Sequence, residues 1–106
     1  MSDDVLTELA ATIRKRRTAS AEQSYTKSLL EAGPSRCARK FGEEAMETVV
    51  AALTEDAASL TSEAADAVYH LLVLLEVRGV AIEDVLATLR ARQATSGHAE
   101  KAARAK

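Results

Sequence analysis

The sequence predicts an all-α fold, an antiparallel bundle of about four to five helices. Gly (4 residues) and Pro (1 residue) are scarce, and aromatic residues make up only 3% of the 106-residue chain. An all-β chain would need more turn residues and more β-branched or aromatic side chains. Apolar residues also recur every three to four positions, as in amphipathic helices. With 47% hydrophobic residues, we expect one domain, 1–106, with an aliphatic core.

The first predicted helix starts close to the N-terminus. Ser2 could cap it, and acidic residues follow in its first turn, where they suit the helix dipole. Its apolar stripe is formed by Val5, Leu6, Leu9 and Ile13. A basic run and a polar loop, residues 18–24, separate it from a short helix that starts at Ser24. Gly33-Pro34 should end that helix, since Gly suits a left-handed cap and Pro blocks continuation.

Three longer helices are expected in the rest of the chain. The first spans roughly 35–54, with Ser35 as N-cap, and its apolar stripe is Ala38, Phe41, Ala45, Val49 and Ala52. The second spans roughly 57–78, ends before Gly79 and is apolar nearly all round, which indicates a central position. The third spans roughly 82–94, with inward-facing Val85, Leu86 and Leu89. A basic tail of about 96–106 follows.

Charge, cysteine content and hydropathy argue against several classes of protein. A net charge of −2 disfavours nucleic acid as the main partner. A single Cys excludes an internal disulfide framework and a cysteine zinc site. The N-terminus lacks the apolar segment of a signal peptide, and the longest apolar run, 71–75, is far shorter than the roughly 20 residues of a membrane span. We therefore expect a cytoplasmic protein with no membrane partner.

Two acidic clusters occupy the helices 35–54 and 57–78. At about 100° per residue, the first cluster falls within an arc of roughly 100°; it comprises Lys40, Glu43, Glu44 and Glu47. The second comprises Glu63, Asp66 and His70. Both faces turn apolar further along, at Val50-Ala51 and at Val73-Leu74, so we expect the carboxylates to be partly buried rather than fully solvated. Sheltered carboxylates repel one another unless they are paired or bind a metal.

Carboxylates that face one another across two antiparallel helices predict a site for a hard divalent cation. All-oxygen ligation suits Mg²⁺, with Mn²⁺ as a possible substitute. Di-iron bundles use Glu-x-x-His on paired helices, whereas the second motif here reads Glu63-x-x-Asp66. Mg²⁺ held by a few carboxylates usually completes its shell with water and phosphate. Hydrolysis of a phosphoanhydride is the expected chemistry, with a neighbouring carboxylate taking the proton from water.

Several other polar residues are open to two interpretations. His70 could contact a substrate or orient a ligand, or it could be a hydrogen-bonded core residue. Tyr25 could line the site or merely pack, and Cys37 is expected to be a small buried apolar residue. Basic side chains are usually surface groups, but a polyphosphate substrate would need some of them. The candidates are Arg14 to Arg17, Arg90, Arg92, Lys101 and Arg104.

Four segments together resemble a known family. They are Ser24-Tyr25-Thr26 with Leu29-Leu30, Lys40-Phe41-Gly42-Glu43-Glu44-Ala45-x-Glu47, Glu63-Ala64-Ala65-Asp66-Ala67-Val68-Tyr69-His70-Leu71, and Arg92 with Ser96-Gly97-x-x-Glu100-Lys101-x-x-Arg104. The two acidic motifs, Glu43-Glu44-x-x-Glu47 and Glu63-x-x-Asp66, resemble those of the all-α nucleoside triphosphate pyrophosphatase (MazG-like) superfamily. The other segments narrow the resemblance, which covers nearly the whole chain, to the phosphoribosyl-ATP pyrophosphatase family of histidine biosynthesis.

This resemblance implies Mg²⁺-dependent hydrolysis of phosphoribosyl-ATP to phosphoribosyl-AMP and pyrophosphate, the second step of histidine biosynthesis. It implies a homodimer that completes a MazG-like bundle, and a stand-alone form without the cyclohydrolase domain. The implied metal ligands are Glu44, Glu47, Glu63 and Asp66. Glu43 would be a further ligand or the base that activates water, Glu47 would also serve catalysis, and Lys40 would neutralise phosphate charge. The implied substrate contacts are Tyr25, His70, Arg92, Lys101 and Arg104.

Two alternative functions stay open at this point. The same fold and chemistry could serve a house-cleaning enzyme that hydrolyses ordinary or modified nucleoside triphosphates. The chain could instead be a helical dimerisation or adaptor module without catalysis. Comparing substrates separates the first alternative from phosphoribosyl-ATP hydrolysis. The second alternative predicts that Mg²⁺ does not change the stability of the protein, because a ligand that does not bind cannot stabilise the fold.

Overall fold

The computed structural model describes residues 4–22, 24–94 and 104, and these residues are helical or lie in turns and loops, with no strand among them. The helices are α1 (Asp4–Lys15), α2 (Tyr25–Ala32), α3 (Pro34–Thr54), α4 (Ala57–Val77) and α5 (Ile82–Gln93). A 3-10 helix, Arg16–Thr18, extends α1. The all-α prediction is confirmed. In the part of the chain described, no helix is both long and apolar enough to cross a membrane.

Side-chain caps and glycines set the helix ends. Ser24 caps α2 by accepting a hydrogen bond from the backbone N–H of Lys27 at 3.1 Å, as expected for a Ser N-cap. Asp56 caps α4 in the same way, accepting from the N–H of Ser59 at 2.9 Å. Gly79, with φ 71°, follows the end of α4. The predicted Ser2 cap lies outside the described residues.

The junction between α2 and α3 differs from the prediction in two details. Gly33 has φ 94° and ψ 178°, a conformation that favours glycine but is extended in ψ, so it is not the predicted left-handed cap. Gly33 is also the N-cap of α3, with Pro34 in the first turn, so the prediction of Ser35 as N-cap was wrong. The fixed φ of Pro explains the shift, because it suits the first helical position.

The core lies where α4 packs against α1, α2 and α3, which confirms the central position predicted for this helix. Its buried side chains are Ile13, Leu29, Leu30, Cys37, Leu72, Val73 and Ile82. Cys37 is buried as predicted, its thiol donates to the carbonyl oxygen of Leu29, and burial raises its pKa. At the end of α4, Glu76 binds two of the basic residues of the N-terminal run, Arg14 and Arg17.

Several residues assigned to the core by periodicity are exposed instead. They are Val5, Ala38, Val49, Ala52 and Leu89. The more buried face of α3 carries Cys37, Phe41, Glu44, Thr48 and Ala51, and Thr48 on this face contacts α4. Ala38, Ala45 and Ala52 lie on one side of α3 and the buried Ala51 lies on another, so apolar spacing alone did not identify this face. The consequence is an open apolar face on α3, defined as Met46, Val49, Val50 and Leu53.

Candidate metal centre

Three carboxylates from α3 and α4 converge at one place. Glu44 on α3 and Glu63 and Asp66 on α4 each offer an oxygen atom, and these atoms lie within 4.8 Å of one another. Glu44 and Glu63 are half-buried, and Asp66 is exposed. The short link between the two helices, Glu55-Asp56, folds them into a hairpin that makes this meeting possible. The described residues therefore include a group of carboxylates with the geometry to hold a metal ion.

The backbones of α3 and α4 are joined beside the carboxylates. The hydroxyl oxygen of Thr48 lies 2.9 Å from the carbonyl oxygen of Glu44 and 3.0 Å from that of Glu63. Thr48 therefore contacts the main chain of both half-buried members of the cluster. Nothing in the spacing of the motifs singles it out, because a threonine among alanines and valines has no distinctive pattern.

The pKa values of two carboxylates in this group are raised above their usual value. For Glu44 the pKa is raised first by a hydrogen bond with Glu47, then by partial burial and by repulsion from Glu47 and Asp66, and Lys40 opposes the shift. For Glu63 the pKa is raised by burial and by repulsion from neighbours that include Glu47 and Asp66. A divalent cation would supply the counter-charge that favours the ionised carboxylates. The all-oxygen donor set therefore fits a hard cation such as Mg²⁺.

The other two glutamates of α3 flank this group. Glu47 is exposed and lies close enough to Glu44 and Glu63 to affect the pKa values of both. It is not among the three residues whose oxygens lie within 4.8 Å of one another. Glu43 is also exposed, and one of its carboxylate oxygens lies 3.4 Å from the Nζ atom of Lys40. Glu43 and Lys40 thus form an ion pair at the edge of the cluster.

Lys40 lies between these carboxylates and Tyr25 of α2. The interaction with Tyr25, and then those with Glu43 and Glu44, raises the pKa of the Lys40 ammonium group against a smaller lowering by burial. Tyr25 is 54% exposed. The phenol is therefore accessible, while Lys40 is half-buried beside it.

His70 is buried next to the carboxylates, and one of its two ring nitrogens has no hydrogen-bond partner among the described residues. Only 6% of it is exposed, and its Nδ1 atom is buried without a hydrogen-bond partner among the described residues. The rings of Tyr25 and Tyr69 meet it edge-on, with centroids 6.1 Å and 5.0 Å away. Burial, and then the charge of Lys40, lowers its pKa, so the imidazole is neutral at neutral pH.

One further contact, between Thr26 and Tyr69 of the motif segments, holds one of the two rings that meet His70. The hydroxyl groups of Tyr69 and Thr26 share a hydrogen bond, which joins α4 to α2.

Of the basic residues predicted to contact a substrate, Arg92 at the end of α5 and Arg104 are exposed. Lys101 lies outside the described residues, as do Ser96, Gly97 and Glu100.

Comparison with known proteins gives consistent results. Residues 6–93 match the family model described as phosphoribosyl-ATP pyrophosphohydrolase. The chain is 53% identical over 106 residues to the phosphoribosyl-ATP pyrophosphatase of Zymomonas mobilis subsp. mobilis, covering 100% of this chain and 99% of that protein. It is 54% identical over 102 residues to the phosphoribosyl-ATP pyrophosphatase of Ruegeria pomeroyi, covering 96% and 97%. These similarities extend through all five helices.

Proposed function

Since the chain belongs to the phosphoribosyl-ATP pyrophosphohydrolase family, we propose that it hydrolyses the α–β phosphoanhydride of phosphoribosyl-ATP. The products are phosphoribosyl-AMP and pyrophosphate, and the reaction is the second step of histidine biosynthesis. The observation that carries this proposal is the convergence of Glu44, Glu63 and Asp66 on one point between α3 and α4. We further propose that residues 1–106 act as one domain in the cytoplasm.

Mg²⁺ is the proposed cofactor, with Mn²⁺ as a substitute. Glu44, Glu63 and Asp66 would hold it through carboxylate oxygens, and Glu47 is the proposed fourth ligand because it lies next to Glu44 and Glu63. Their mutual repulsion supports this assignment, since a bound cation relieves it. When bound, the ion would neutralise charge on phosphate oxygens and lower the pKa of a water molecule.

The residues around the proposed ligands can accept a proton from water and neutralise phosphate charge. Glu43 and Glu47 flank Glu44 on α3, and either carboxylate can accept the proton of the attacking water. The Nζ atom of Lys40 lies 3.4 Å from a carboxylate oxygen of Glu43. A phosphate group of the substrate can replace the exposed Glu43 as the partner of the Lys40 ammonium group, because both anions accept hydrogen bonds from the same donor. Lys40 would then neutralise charge on the substrate, and Glu43 would be released to act on water.

Substrate binding is assigned to residues around this centre. Tyr25 and His70 are proposed because their rings contact each other and both lie near Lys40. The unpartnered Nδ1 atom of His70 is a buried polar group that a hydrogen bond from a substrate or water would satisfy. The proposed phosphate and ribose contacts are Arg92, Lys101 and Arg104.

A comparison of substrates tests the function directly. Pyrophosphate release should be measured from phosphoribosyl-ATP and, in parallel, from a panel of ordinary nucleoside triphosphates such as ATP and dUTP. We expect kcat/KM to favour phosphoribosyl-ATP by about 100-fold or more, since a site that hydrogen-bonds the extra ribose phosphate discriminates against substrates that lack it. Faster hydrolysis of an ordinary triphosphate would indicate a house-cleaning enzyme. No hydrolysis, together with no effect of Mg²⁺ on unfolding, would indicate a non-catalytic module.

A homodimer is proposed from the open apolar face of α3. Met46, Val49, Val50 and Leu53 follow helical spacing and are 45% to 79% exposed. A contiguous apolar surface of this kind marks an interaction site, and closed two-fold symmetry is the commonest way to cover it. Analytical ultracentrifugation should show a dimer for the wild type and a monomer for Val49→Glu. Leu89→Glu, a matched change at an exposed leucine of α5, should remain dimeric. A monomeric wild type at micromolar concentration would contradict the proposal.

A further inference from the structure

One hydroxyl group joins the two helices that carry the candidate metal centre. The Oγ1 atom of Thr48 lies 2.9 Å from the carbonyl oxygen of Glu44, one turn earlier on α3, and 3.0 Å from the carbonyl oxygen of Glu63 on α4. Both neighbours are acceptors, so the single hydroxyl proton is donated towards both of them. The contact therefore connects the main chain of the two half-buried residues whose carboxylates converge.

Other threonines show which part of this contact is unusual. Thr12, Thr54, Thr61 and Thr88 each donate to the carbonyl oxygen four residues earlier in their own helices, and these contacts are exposed. Such local hydrogen bonds are ordinary for a helical threonine. Thr48 makes the same local contact, but its hydroxyl is part-buried and also reaches a carbonyl of a second helix. The inter-helix contact sets Thr48 apart from these threonines.

We propose that Thr48 is a positioning residue, whose hydroxyl holds Glu44 and Glu63 at the separation required to bind one divalent cation. The proposal rests on the metal centre of the proposed function. Glu44, Glu63 and Asp66 repel one another when they are ionised, and this repulsion pushes α3 away from α4. A hydrogen bond between the helices at the level of Glu44 and Glu63 opposes that movement. Binding sites need their groups held to within about 0.5 Å, so a small separation weakens binding.

Three substitutions isolate the hydroxyl group. Thr48→Val keeps the shape and removes the hydroxyl, and Thr48→Ser keeps the hydroxyl and removes only the methyl group. Thr54→Val is the matched control, because Thr54 lies on the same helix and donates to the carbonyl oxygen of Val50 without reaching α4. Circular dichroism establishes that each full-length variant is folded. Thr48→Ala is a second hydroxyl-free variant if Thr48→Val does not fold.

The decisive measurement is the Kd for Mn²⁺ alone, obtained without substrate from the electron paramagnetic resonance signal of the free ion. We expect Thr48→Val to bind Mn²⁺ about 10-fold more weakly, the size of effect typical of losing a partner that orients a metal ligand. Thr48→Ser and Thr54→Val should bind as the wild type does. In turnover, Thr48→Val should need correspondingly more Mg²⁺, while kcat at saturating Mg²⁺ stays close to the wild-type value.

The outcomes separate this proposal from the one on which it rests. A wild-type protein that binds no Mn²⁺ would overturn the metal centre and the role of Thr48 with it. Wild-type binding combined with an unchanged Kd for the hydroxyl-free variant would overturn the role of Thr48 alone. The same would follow if Thr48→Ser or Thr54→Val lost as much affinity as Thr48→Val. Rescue by serine is the result that a purely steric role would not produce.

Discussion

The two halves of α4 have opposite environments. Its C-terminal half is the centre of the core, where Leu72 is 3% exposed and Val73 is fully buried. Its N-terminal half, residues 57–67, carries Glu63 and Asp66 and has no buried residue. One continuous helix thus supplies apolar burial at one end and a carboxylate cluster at the other. This division lets the fold be stabilised away from the place where like charges have to be held together.

Two glutamates on this helix differ in the same way in the charges of the groups around them. Glu76, near the C-terminal end, binds Arg14 and Arg17 through its carboxylate, and its main-chain carbonyl oxygen accepts a further hydrogen bond from Arg17. Glu63, in the N-terminal half, lies among other carboxylates, and its pKa is raised first by burial and then by their repulsion. A carboxylate paired with arginines stabilises the packing of helices. A carboxylate among carboxylates needs a counter-ion, so it is the better candidate for function.

The largest effect is expected from the acidic half of α4. Asp66→Asn keeps the size of the side chain and removes a proposed ligand charge, so turnover of phosphoribosyl-ATP should fall by more than about 100-fold, the upper range for losing an outer partner of a metal ligand. In EDTA, the free energy of unfolding should not decrease, because the substitution also removes repulsion between carboxylates. Steady-state kinetics in Mg²⁺, paired with urea unfolding, measure both quantities.

Asp84→Asn is the matched control for this substitution. Asp84 is exposed in the first turn of α5, outside the carboxylate cluster. The same chemical change there should leave turnover at the wild-type level. Full activity of Asp66→Asn would remove Asp66 from the proposed ligand set and would weaken the contrast between the two halves of α4.

The core half of α4 should respond in the opposite way. Leu72→Ala should lower the free energy of unfolding by about 2–5 kcal/mol, because a buried leucine leaves a cavity when it is truncated. Molecules that remain folded should keep their turnover, since Leu72 lies outside the carboxylate cluster. Leu89→Ala, at a leucine that is 53% exposed on α5, should change stability by less than about 0.5 kcal/mol. Equal losses in the two variants would contradict the burial assigned to Leu72.

The sequence was sufficient for the features that depend on local chemistry. Gly33-Pro34 and Gly79 marked helix ends because their backbone preferences act locally, and Ser24 was placed at the start of α2. The meeting of Glu44 with Glu63 and Asp66 followed from the two acidic stripes, which a helical hairpin brings together. These features were predictable because each depends on residues close in sequence or on one simple pairing of helices.

Features that depend on how helices rotate against one another were not predictable in this way. Val49 was expected in the core but is 52% exposed, because α3 turns its acidic face, with Glu44 and Thr48, towards α4. The inter-helix contact of Thr48 also depends on that rotation. Small alanines on several sides of α3 made more than one face compatible with packing. Only tertiary contacts distinguish between such faces.

The smallest effect concerns Glu63 and Glu76 in the absence of metal. The pKa of Glu63 is raised above its usual 4.5 in the fold, so its contribution to stability is present below that pH and is lost as the pH rises through the raised value. In EDTA, the stability of the wild type relative to Glu63→Gln should therefore fall as the pH rises from 4 towards 7. Urea unfolding across this pH range measures the free energy of unfolding of both proteins. If the two free energies change with pH in parallel, the prediction is wrong.

Glu76→Gln should affect stability at neutral pH in the opposite direction to Glu63→Gln. It should lower stability, because it weakens the contacts of Glu76 with Arg14 and Arg17. At neutral pH it should destabilise the protein by up to about 1 kcal/mol, the range for ion pairs with exposed partners. Mg²⁺ then distinguishes the two glutamates. Added Mg²⁺ should stabilise the wild type and Glu76→Gln equally, and Glu63→Gln much less, because binding to the folded state adds stability only where the ligands are intact. Equal stabilisation of both variants would mean that Glu63 contributes no more to cation binding than a glutamate held by arginines.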